Sequence, residues 1–154
     1  TSELYRTKLS TGETTLLTLD EYTFKTGSVW CEVPGGDLYF SGGREANIGN
    51  LKEVVRVSVS SLEVAQKSPM LYARSIHGGV YHNNFLYVIG GFNAGLMRDC
   101  ERLSVSEDRW EVLKPLPQGC YGVSVVVVKE TQSLFAIGGW CVDLIQRLSL
   151  GRLE

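Results

Sequence analysis

A diglycine that recurs at a fixed interval constrains the fold of this chain more than any other feature of its sequence. The pairs Gly42–Gly43, Gly90–Gly91 and Gly138–Gly139 follow one another at steps of 48 residues. Each pair ends a short apolar run, and the three runs read LYFSGG, LYVIGG and LFAIGG. One Gly-Gly is a common turn dipeptide. Three copies with leucine and an aromatic residue in the same places indicate an internal repeat.

The repeat extends beyond the glycines. Positions that match at a spacing of 48 include Leu62 with Trp110, Pro69 with Pro117, and RVS at 56–58 with SVS at 104–106. Near the end of the chain, QRLSL at 146–150 resembles ERLSV at 101–105 with a shift of 45. We therefore predict two complete units, preceded by the end of another unit and followed by most of a third, whose last loop is shorter.

Each unit is predicted to form four β-strands. The central unit contains the segments IHGGVYHNN, FLYVIGG, CERLSVSEDR and RWEVLK, which alternate in polarity or end in turn residues and show no helical period. A single sheet of this kind is not stable alone, whereas several sheets around an axis bury both faces and leave only short edges. We predict an all-β fold, a β-propeller of about three four-stranded blades within a larger ring. A parallel β-helix is disfavoured because its turns are much shorter.

The diglycines and Trp110 are predicted to be structural residues of this scaffold. Glycine lacks a Cβ atom, so it tolerates positive φ and close approach of another backbone where a strand ends abruptly. This role is assigned to six positions: Gly42, Gly43, Gly90, Gly91, Gly138 and Gly139. The large Trp110 in the fourth strand is expected to cover the side of its blade.

These features together resemble the kelch repeat. The resemblance is carried by the diglycine after LYVI, the ERL sequence in the third strand, Trp110 about 20 residues after the glycines, and Arg74 before the first strand. It extends over essentially the whole chain. The sequence departs from the pattern at Leu62 and Thr14, which stand where tryptophan is expected, and at Gly122, where Arg74 predicts another arginine.

The resemblance implies a division into blades. Residues 1–26 are expected to hold the last strands of a preceding blade, 27–74 and 75–122 to form two blades, and 123–154 to form an incomplete blade. Closed propellers of this type have more blades. We therefore expect the remaining blades to come from the same longer chain, as the start at Thr1 without methionine suggests. A second copy that completes the ring is the alternative.

Composition argues against several classes of partner. The chain has 15 basic and 17 acidic residues and no basic run, so nucleic acid is not expected as a partner. No apolar run reaches the roughly 20 residues of a membrane helix, and no membrane partner is expected. Four well-separated cysteines do not form a zinc-binding pattern, and without an Asn-x-Ser/Thr acceptor they favour a reducing, cytoplasmic setting. Two disulfides in a secreted protein are the alternative.

No catalytic, metal-binding or cofactor-binding set is predicted. The sequence has no nucleophile elbow or Walker loop. The two histidines, His77 and His82, are five residues apart, and an odd spacing places them on opposite faces of a strand. The resemblance also includes galactose oxidase, a copper enzyme with tyrosine and histidine ligands, but a matching ligand set is not found. We therefore predict that the chain is not an enzyme and has no cofactor.

The loops that follow the diglycines differ most between units and contain aromatic, methionine and arginine residues. Such residues are enriched at protein interfaces, and the loops of a propeller cluster at its two faces. Packing between blades is the alternative for the aromatic residues. The predicted partner-binding residues are Arg44, Asn47, Tyr72, Arg74, Phe92, Asn93, Met97, Arg98, Tyr121 and Trp140.

The resemblance implies a non-catalytic protein–protein interaction module that binds a protein or peptide partner at one propeller face. Within the family, such propellers serve as substrate receptors of cullin ubiquitin ligases, and others bind actin or cytoskeletal partners. Both functions are kept as hypotheses, with a galactose-oxidase-like copper enzyme as the third.

Overall fold

The computed structural model describes residues 2–20, 22–140 and 145–150. In these residues it forms fifteen β-strands and one 3₁₀ turn, Lys129–Thr131. The strands are β1 (Ser2–Thr7), β2 (Thr14–Leu19), β3 (Val29–Glu32), β4 (Leu38–Ser41), β5 (Arg44–Glu45), β6 (Gly49–Asn50), β7 (Val54–Val57), β8 (Val64–Gln66), β9 (Gly78–His82), β10 (Phe85–Ile89), β11 (Cys100–Ser104), β12 (Arg109–Leu113), β13 (Ser124–Val128), β14 (Ser133–Ile137) and β15 (Ile145–Ser149).

These strands form successive antiparallel sheets. We name the β1–β2 sheet the N-terminal hairpin, β3-β4-β7-β8 the first blade, β9-β10-β11-β12 the second blade and β13-β14-β15 the third blade. Strands β5 and β6 form a small separate hairpin in the loop between β4 and β7. Each sheet lies within one of the predicted ranges 1–26, 27–74, 75–122 and 123–154, whose boundaries stay a prediction.

The blades pack side by side through their first strands. Strand β9 contacts both β3 and β13, so the three strands lie next to one another around a common axis. One apolar cluster fills each junction. The cluster around Phe40 joins the hairpin to the first blade, the one around Trp110 joins the first and second blades, and the one around Ile89 joins the second and third. This arrangement confirms the predicted all-β propeller fold.

In the first two pairs, the first glycine lies where a blade meets the connector that leads into the next blade. Gly42 and Gly90 adopt φ values of +60° and +62°. A Cβ atom on Gly42 would clash with the carbonyl oxygen of Arg74, and one on Gly90 would lie 2.6 Å from that of Cys120. Any side chain would therefore push the connector away.

The uniform register of 48 residues is wrong beyond the diglycines. Leu51 N donates to Gly43 O at 2.9 Å, and Met97 N donates to Gly91 O at 2.9 Å. The loop after the second diglycine is thus two residues shorter than the loop after the first. Residues 51–74 therefore correspond to residues 97–120, a shift of 46.

This shift corrects the assignment of Leu62 as the counterpart of Trp110. Val64 pairs with Val57 as Trp110 pairs with Leu103, so Val64 occupies the tryptophan position in the first blade. Leu62 instead lies in the hairpin turn at positive φ, as Asp108 does in the second blade.

The same shift corrects the position assigned to Gly122. Gly43 N donates to the carbonyl of Arg74 at 2.9 Å, and Gly91 N donates to the carbonyl of Cys120 at 2.8 Å. Cys120, and not Gly122, is therefore the counterpart of Arg74 in the next connector.

Candidate interaction face

One end of the strands gathers most of the predicted binding residues. In an antiparallel meander, the loop between the second and third strands and the connector into the next blade lie at the same end of the sheet. Backbone bridges also join each loop to the connector that precedes its own blade: Thr26 with Arg44, Ser75 with Phe92, and Tyr121 with Trp140. We call this end the loop face. Its described segments are residues 20, 22–28, 42–53, 67–77, 90–99, 114–123 and 138–140.

Three aromatic side chains cross the loop face from the second blade to the third. Phe92 and Tyr121 are in edge contact with ring centroids 5.8 Å apart, and Tyr121 stacks on Trp140 at 6.4 Å with an interplanar angle of 17°. Trp140 is 68% exposed and Phe92 is 36% exposed. We call these residues the aromatic strip. Because both rings are exposed, Phe92 and Trp140 are not buried between blades.

Arg44 occupies in the first blade the position that Phe92 and Trp140 occupy in the next two, directly after a diglycine. Its side chain is exposed, and its backbone N–H donates to Thr26 O at 2.8 Å. Asn50, its partner in the β5–β6 hairpin, donates from Nδ2 to Asn93 Oδ1 at 3.1 Å. This bond ties the loop of the first blade to that of the second.

Three further predicted residues are exposed on the same face. Asn47 lies at the tip of the β5–β6 hairpin, and Tyr72 is 39% exposed in the connector before the second blade. Arg98 is exposed, and its Nε donates a hydrogen bond to Leu116 O at 2.7 Å. Its two terminal amino groups form no hydrogen bond or ion pair with another described residue.

Met97 is buried, which contradicts its prediction as a binding residue. Only 9% of it is exposed. It takes the structural place of Leu51, and its carbonyl accepts the N–H of Cys120 at 3.1 Å. Its role is to close the loop against the blade.

Arg74 is also wrong as a partner-binding residue, because its side chain is fully buried. Its Nη2 lies 2.7 Å from Glu101 Oε1, and its Nη1 donates to the carbonyls of Gly90 and Asp99. The same carboxylate accepts the N–H of Leu71 at 2.7 Å. Arg74 therefore links the connector to the second blade through buried hydrogen bonds and an ion pair.

Glu101 was missed by the sequence reasoning. A buried carboxylate in a strand is expected only with a partner. The signal was present in the two similar third strands, ERLSV and QRLSL, where an acid and an amide stand at the same place before a shared Arg-Leu-Ser.

The two histidines lie at opposite ends of β9. His77 precedes β9 and is buried, with its Nε2 2.9 Å from Ser41 Oγ. Burial, with a smaller contribution from the charge of Arg74, lowers the pKa of His77 to about 3. His82 ends β9 and is also buried. In the described ranges, no group of three or more His, Cys, Asp or Glu side chains could hold a metal ion.

Cys31 is a half-buried thiol and Cys100 a fully buried one. Cys31 and Cys100 form no disulfide, and burial raises the pKa of Cys31 to about 12 and that of Cys100 to about 11. Both are therefore protonated and unreactive near neutral pH. Cys141 lies outside the described residues.

Among residues 2–20, 22–140 and 145–150, no helix has the length and apolar character needed to span a membrane.

Known proteins share this sequence pattern and this fold. Residues 73–117 match the family model described as the Kelch motif. Kelch-like protein 25 of Xenopus tropicalis is 32% identical over 115 residues, which is 68% of this chain and 19% of the relative. Human Kelch-like protein 38 is 33% identical over 107 residues, or 66% of this chain and 18% of the relative. The chain thus spans about a fifth of the length of these curated relatives.

A solved structure supports the fold independently. The structure titled "Structure of YjhT" superposes with a TM-score of 0.76 over 89% of this chain and 50% of that chain, at 18% sequence identity. At this identity the likeness concerns the fold alone. With the matched motif, the curated relatives and the blades seen here, the chain belongs to the kelch-repeat family of β-propellers.

Proposed function

We propose that this chain is a non-catalytic protein–protein interaction module that binds a protein or peptide partner through its loop face. The aromatic strip carries the proposal. Large aromatic side chains that stay exposed on a rigid sheet scaffold are typical of binding surfaces, where they supply much of the binding energy. The strip spans two blades, so a bound segment can contact both.

The proposal includes the assembly in which the module acts. The relatives are named Kelch-like proteins, and the chain spans only part of their length. We propose that further blades of the same longer chain complete the ring, and that the whole protein is a cytoplasmic substrate receptor of a cullin ubiquitin ligase. No nucleic acid, metal or cofactor is part of this function. Binding to actin or another cytoskeletal protein is the second candidate. Co-purification with a cullin, against co-sedimentation with filamentous actin, separates the two.

The test of the binding face compares two exposed apolar side chains. Trp140 belongs to the aromatic strip, whereas Leu9 is 97% exposed in the β1–β2 turn, at the opposite end of the strands. Trp140→Ala should weaken binding of the co-purified partner by at least about tenfold, or 1.4 kcal/mol, as interface tryptophans do. Leu9→Ala should leave binding unchanged. Equal affinity for the wild type and Trp140→Ala would refute the proposed face.

A further inference from the structure

Trp110 closes the outer rim of the junction between the first and second blades. The first strands of the blades meet around the axis, so β12, a fourth strand, lies at the rim. The Trp110 ring packs in the cluster between the two blades, and its indole N–H donates to Ser68 O at 2.7 Å. The carboxylate of Asp108 accepts the N–H of Ser68 at 3.2 Å. One indole and one carboxylate therefore bind the second blade to the connector that leaves the first blade.

The first blade has neither group at the matching positions. Val64 occupies the position of Trp110, and Leu62 lies in the hairpin turn as Asp108 does in the second blade. Both replacements are smaller or apolar side chains without an N–H donor or a carboxylate. The rim of the junction between the N-terminal hairpin and the first blade is therefore not closed in the way that the next rim is.

The N-terminal hairpin supplies the counterpart of Ser68 at this rim. In the β1–β2 turn, the N–H of Lys8 donates to the carbonyl five residues later at 2.8 Å, and in the β7–β8 turn the N–H of Ser58 does the same at 2.9 Å. The two turns thus match at a shift of 50. This shift places Thr18 of β2 where the first blade has Ser68.

A groove of about 610 Å³ opens at this rim. We call it the rim groove. Its lining includes Thr18 and Asp20 from the hairpin and Ser61, Leu62 and Val64 from the first blade. Its volume lies in the range of roughly 300–1,000 Å³ that is usual for ligand sites. The rim groove therefore lies between Val64 and Thr18, the residues that correspond to Trp110 and Ser68 in the next junction.

From this match we propose that the rim groove binds a tryptophan side chain of a partner protein, in the place that Trp110 fills in the next junction. An indole is a flat apolar ring with one N–H donor. Leu62 and Val64 offer apolar contacts to such a ring, and the carboxylate of Asp20 is an acceptor for its N–H. This inference goes beyond the function proposed above, because Leu62 and Val64 belong to a fourth strand and its turn and not to the loop face.

The test measures binding of N-acetyl-tryptophanamide to the full-length protein by saturation-transfer NMR. The wild type should transfer saturation to the indole protons, and Val64→Trp should weaken binding by at least about tenfold because the new indole fills the rim groove. The matched control is Val112→Trp, the same substitution at a valine that is 58% exposed on β12, and it should leave binding unchanged. N-acetyl-leucinamide, which has no ring, should receive no saturation.

A second variant keeps the test valid if Val64→Trp fails to fold. Ser61 is exposed in the β7–β8 turn and lines the rim groove, so Ser61→Trp covers the groove without entering the core. It should also weaken binding of N-acetyl-tryptophanamide by at least about tenfold. If the groove accepts an indole, the midpoint of urea denaturation of Val64→Trp should not fall below that of the wild type.

A random peptide library displayed on phage tests whether the indole comes from a protein. Peptides that bind the wild type but not Ser61→Trp should contain tryptophan, and its replacement by leucine should weaken binding by at least about tenfold. If N-acetyl-tryptophanamide binds in the rim groove but no tryptophan peptide is enriched, the occupant is a free aromatic molecule and the proposed protein partner is refuted.

The remaining outcomes separate the rim groove from the loop face. Absence of saturation transfer to the wild type, or equal binding to the wild type and Ser61→Trp, would refute the rim groove as an indole site. Binding that is lost in Trp140→Ala but kept in Ser61→Trp would place the probe on the aromatic strip, which refutes this inference and leaves the proposed function standing.

Discussion

The two complete junctions between blades share a backbone but differ in side-chain chemistry. The junction of the first and second blades holds the buried Arg74–Glu101 ion pair and the Ser41–His77 hydrogen bond. At the corresponding places, the junction of the second and third blades holds uncharged or apolar residues. The corresponding residues are Cys120 for Arg74, Gln146 for Glu101, Ile89 for Ser41 and Val123 for His77.

The backbone contacts at the two junctions are nearly the same. Gly43 N reaches Arg74 O at 2.9 Å, and Gly91 N reaches Cys120 O at 2.8 Å. Gln146 accepts the N–H of Gln118 at 3.0 Å, as Glu101 accepts that of the corresponding Tyr72 at 3.4 Å. The diglycine and the connector therefore set the propeller geometry. The buried side chains set how strongly each junction depends on charge and pH.

The largest difference is expected when one acceptor is truncated at each junction. Glu101→Ala leaves the guanidinium of Arg74 buried without its counter-charge, which should lower the free energy of unfolding by about 3–5 kcal/mol. Gln146→Ala removes neutral hydrogen bonds, which should cost about 1–2 kcal/mol. Urea denaturation of the two variants measures the difference.

A double variant sharpens this test. Arg74→Cys with Glu101→Gln copies the second junction into the first and removes both charges together. It should be more stable than Glu101→Ala, because no unpaired charge stays buried. Equal losses for Glu101→Ala and Gln146→Ala would show that the ion pair does not distinguish the two junctions.

Trp110 tests the apolar part of the first junction. It is buried against Met70, Leu86 and other members of its cluster, and its indole N–H donates to Ser68 O at 2.7 Å. Trp110→Ala should cost about 3–5 kcal/mol. Val64→Ala, at the matching position of the first blade, should cost about 1 kcal/mol because the side chain is smaller and only half-buried. Similar midpoints of urea denaturation for the two variants would contradict the difference in burial between the two side chains.

His77 should make the first junction sensitive to acid. Its folded-state pKa of about 3 lies below its ordinary value of about 6.5, so the folded state disfavours the protonated ring. Its contribution to stability is therefore complete above about pH 6.5 and is lost as the pH falls toward 3. Between pH 7 and pH 5 the loss should be about 2 kcal/mol.

The matched variant is His77→Val, which copies Val123 of the second junction. Denaturation at pH 7 and at pH 5 should show a smaller loss for His77→Val than for the wild type, by about 2 kcal/mol. Ser41 Oγ keeps an acceptor at Val29 O, 3.3 Å away. If both proteins lose equal stability on acidification, His77 is not the group that titrates.

The sequence predicts the blades well because strands and diglycines repeat in ways that local physics explains. Alternation of polarity and the need for a residue without Cβ are properties of short segments. The register of the later strands failed because a two-residue difference lies in a loop, where length is free to vary. Matching RVSV at 56–59 with RLSV at 102–105, a shift of 46, would have revealed it.

The binding residues were predicted less well, because exposure depends on tertiary contacts. Arg74 and Met97 are residue types common at interfaces, but the fold buries both. The pairing of Arg74 with Glu101 joins residues that are 27 positions apart, and only the packing of connector against blade brings them together. In contrast, Phe92, Tyr121 and Trp140 form one strip because the diglycine repeat places two of them at the same point of successive blades.

The smallest effect is expected far from both junctions. Glu107 lies in the β11–β12 turn, where its carboxylate is 61% exposed and lies 3.4 Å from Nη2 of the equally exposed Arg109. Exposed ion pairs contribute little because water and salt screen them. Glu107→Ala should therefore change the free energy of unfolding by no more than about 0.5 kcal/mol in urea denaturation. A loss comparable to that of Trp110→Ala would mean that the turn between the third and fourth strands supports the blade as strongly as the junction does, and the contrast between junction and surface would fail.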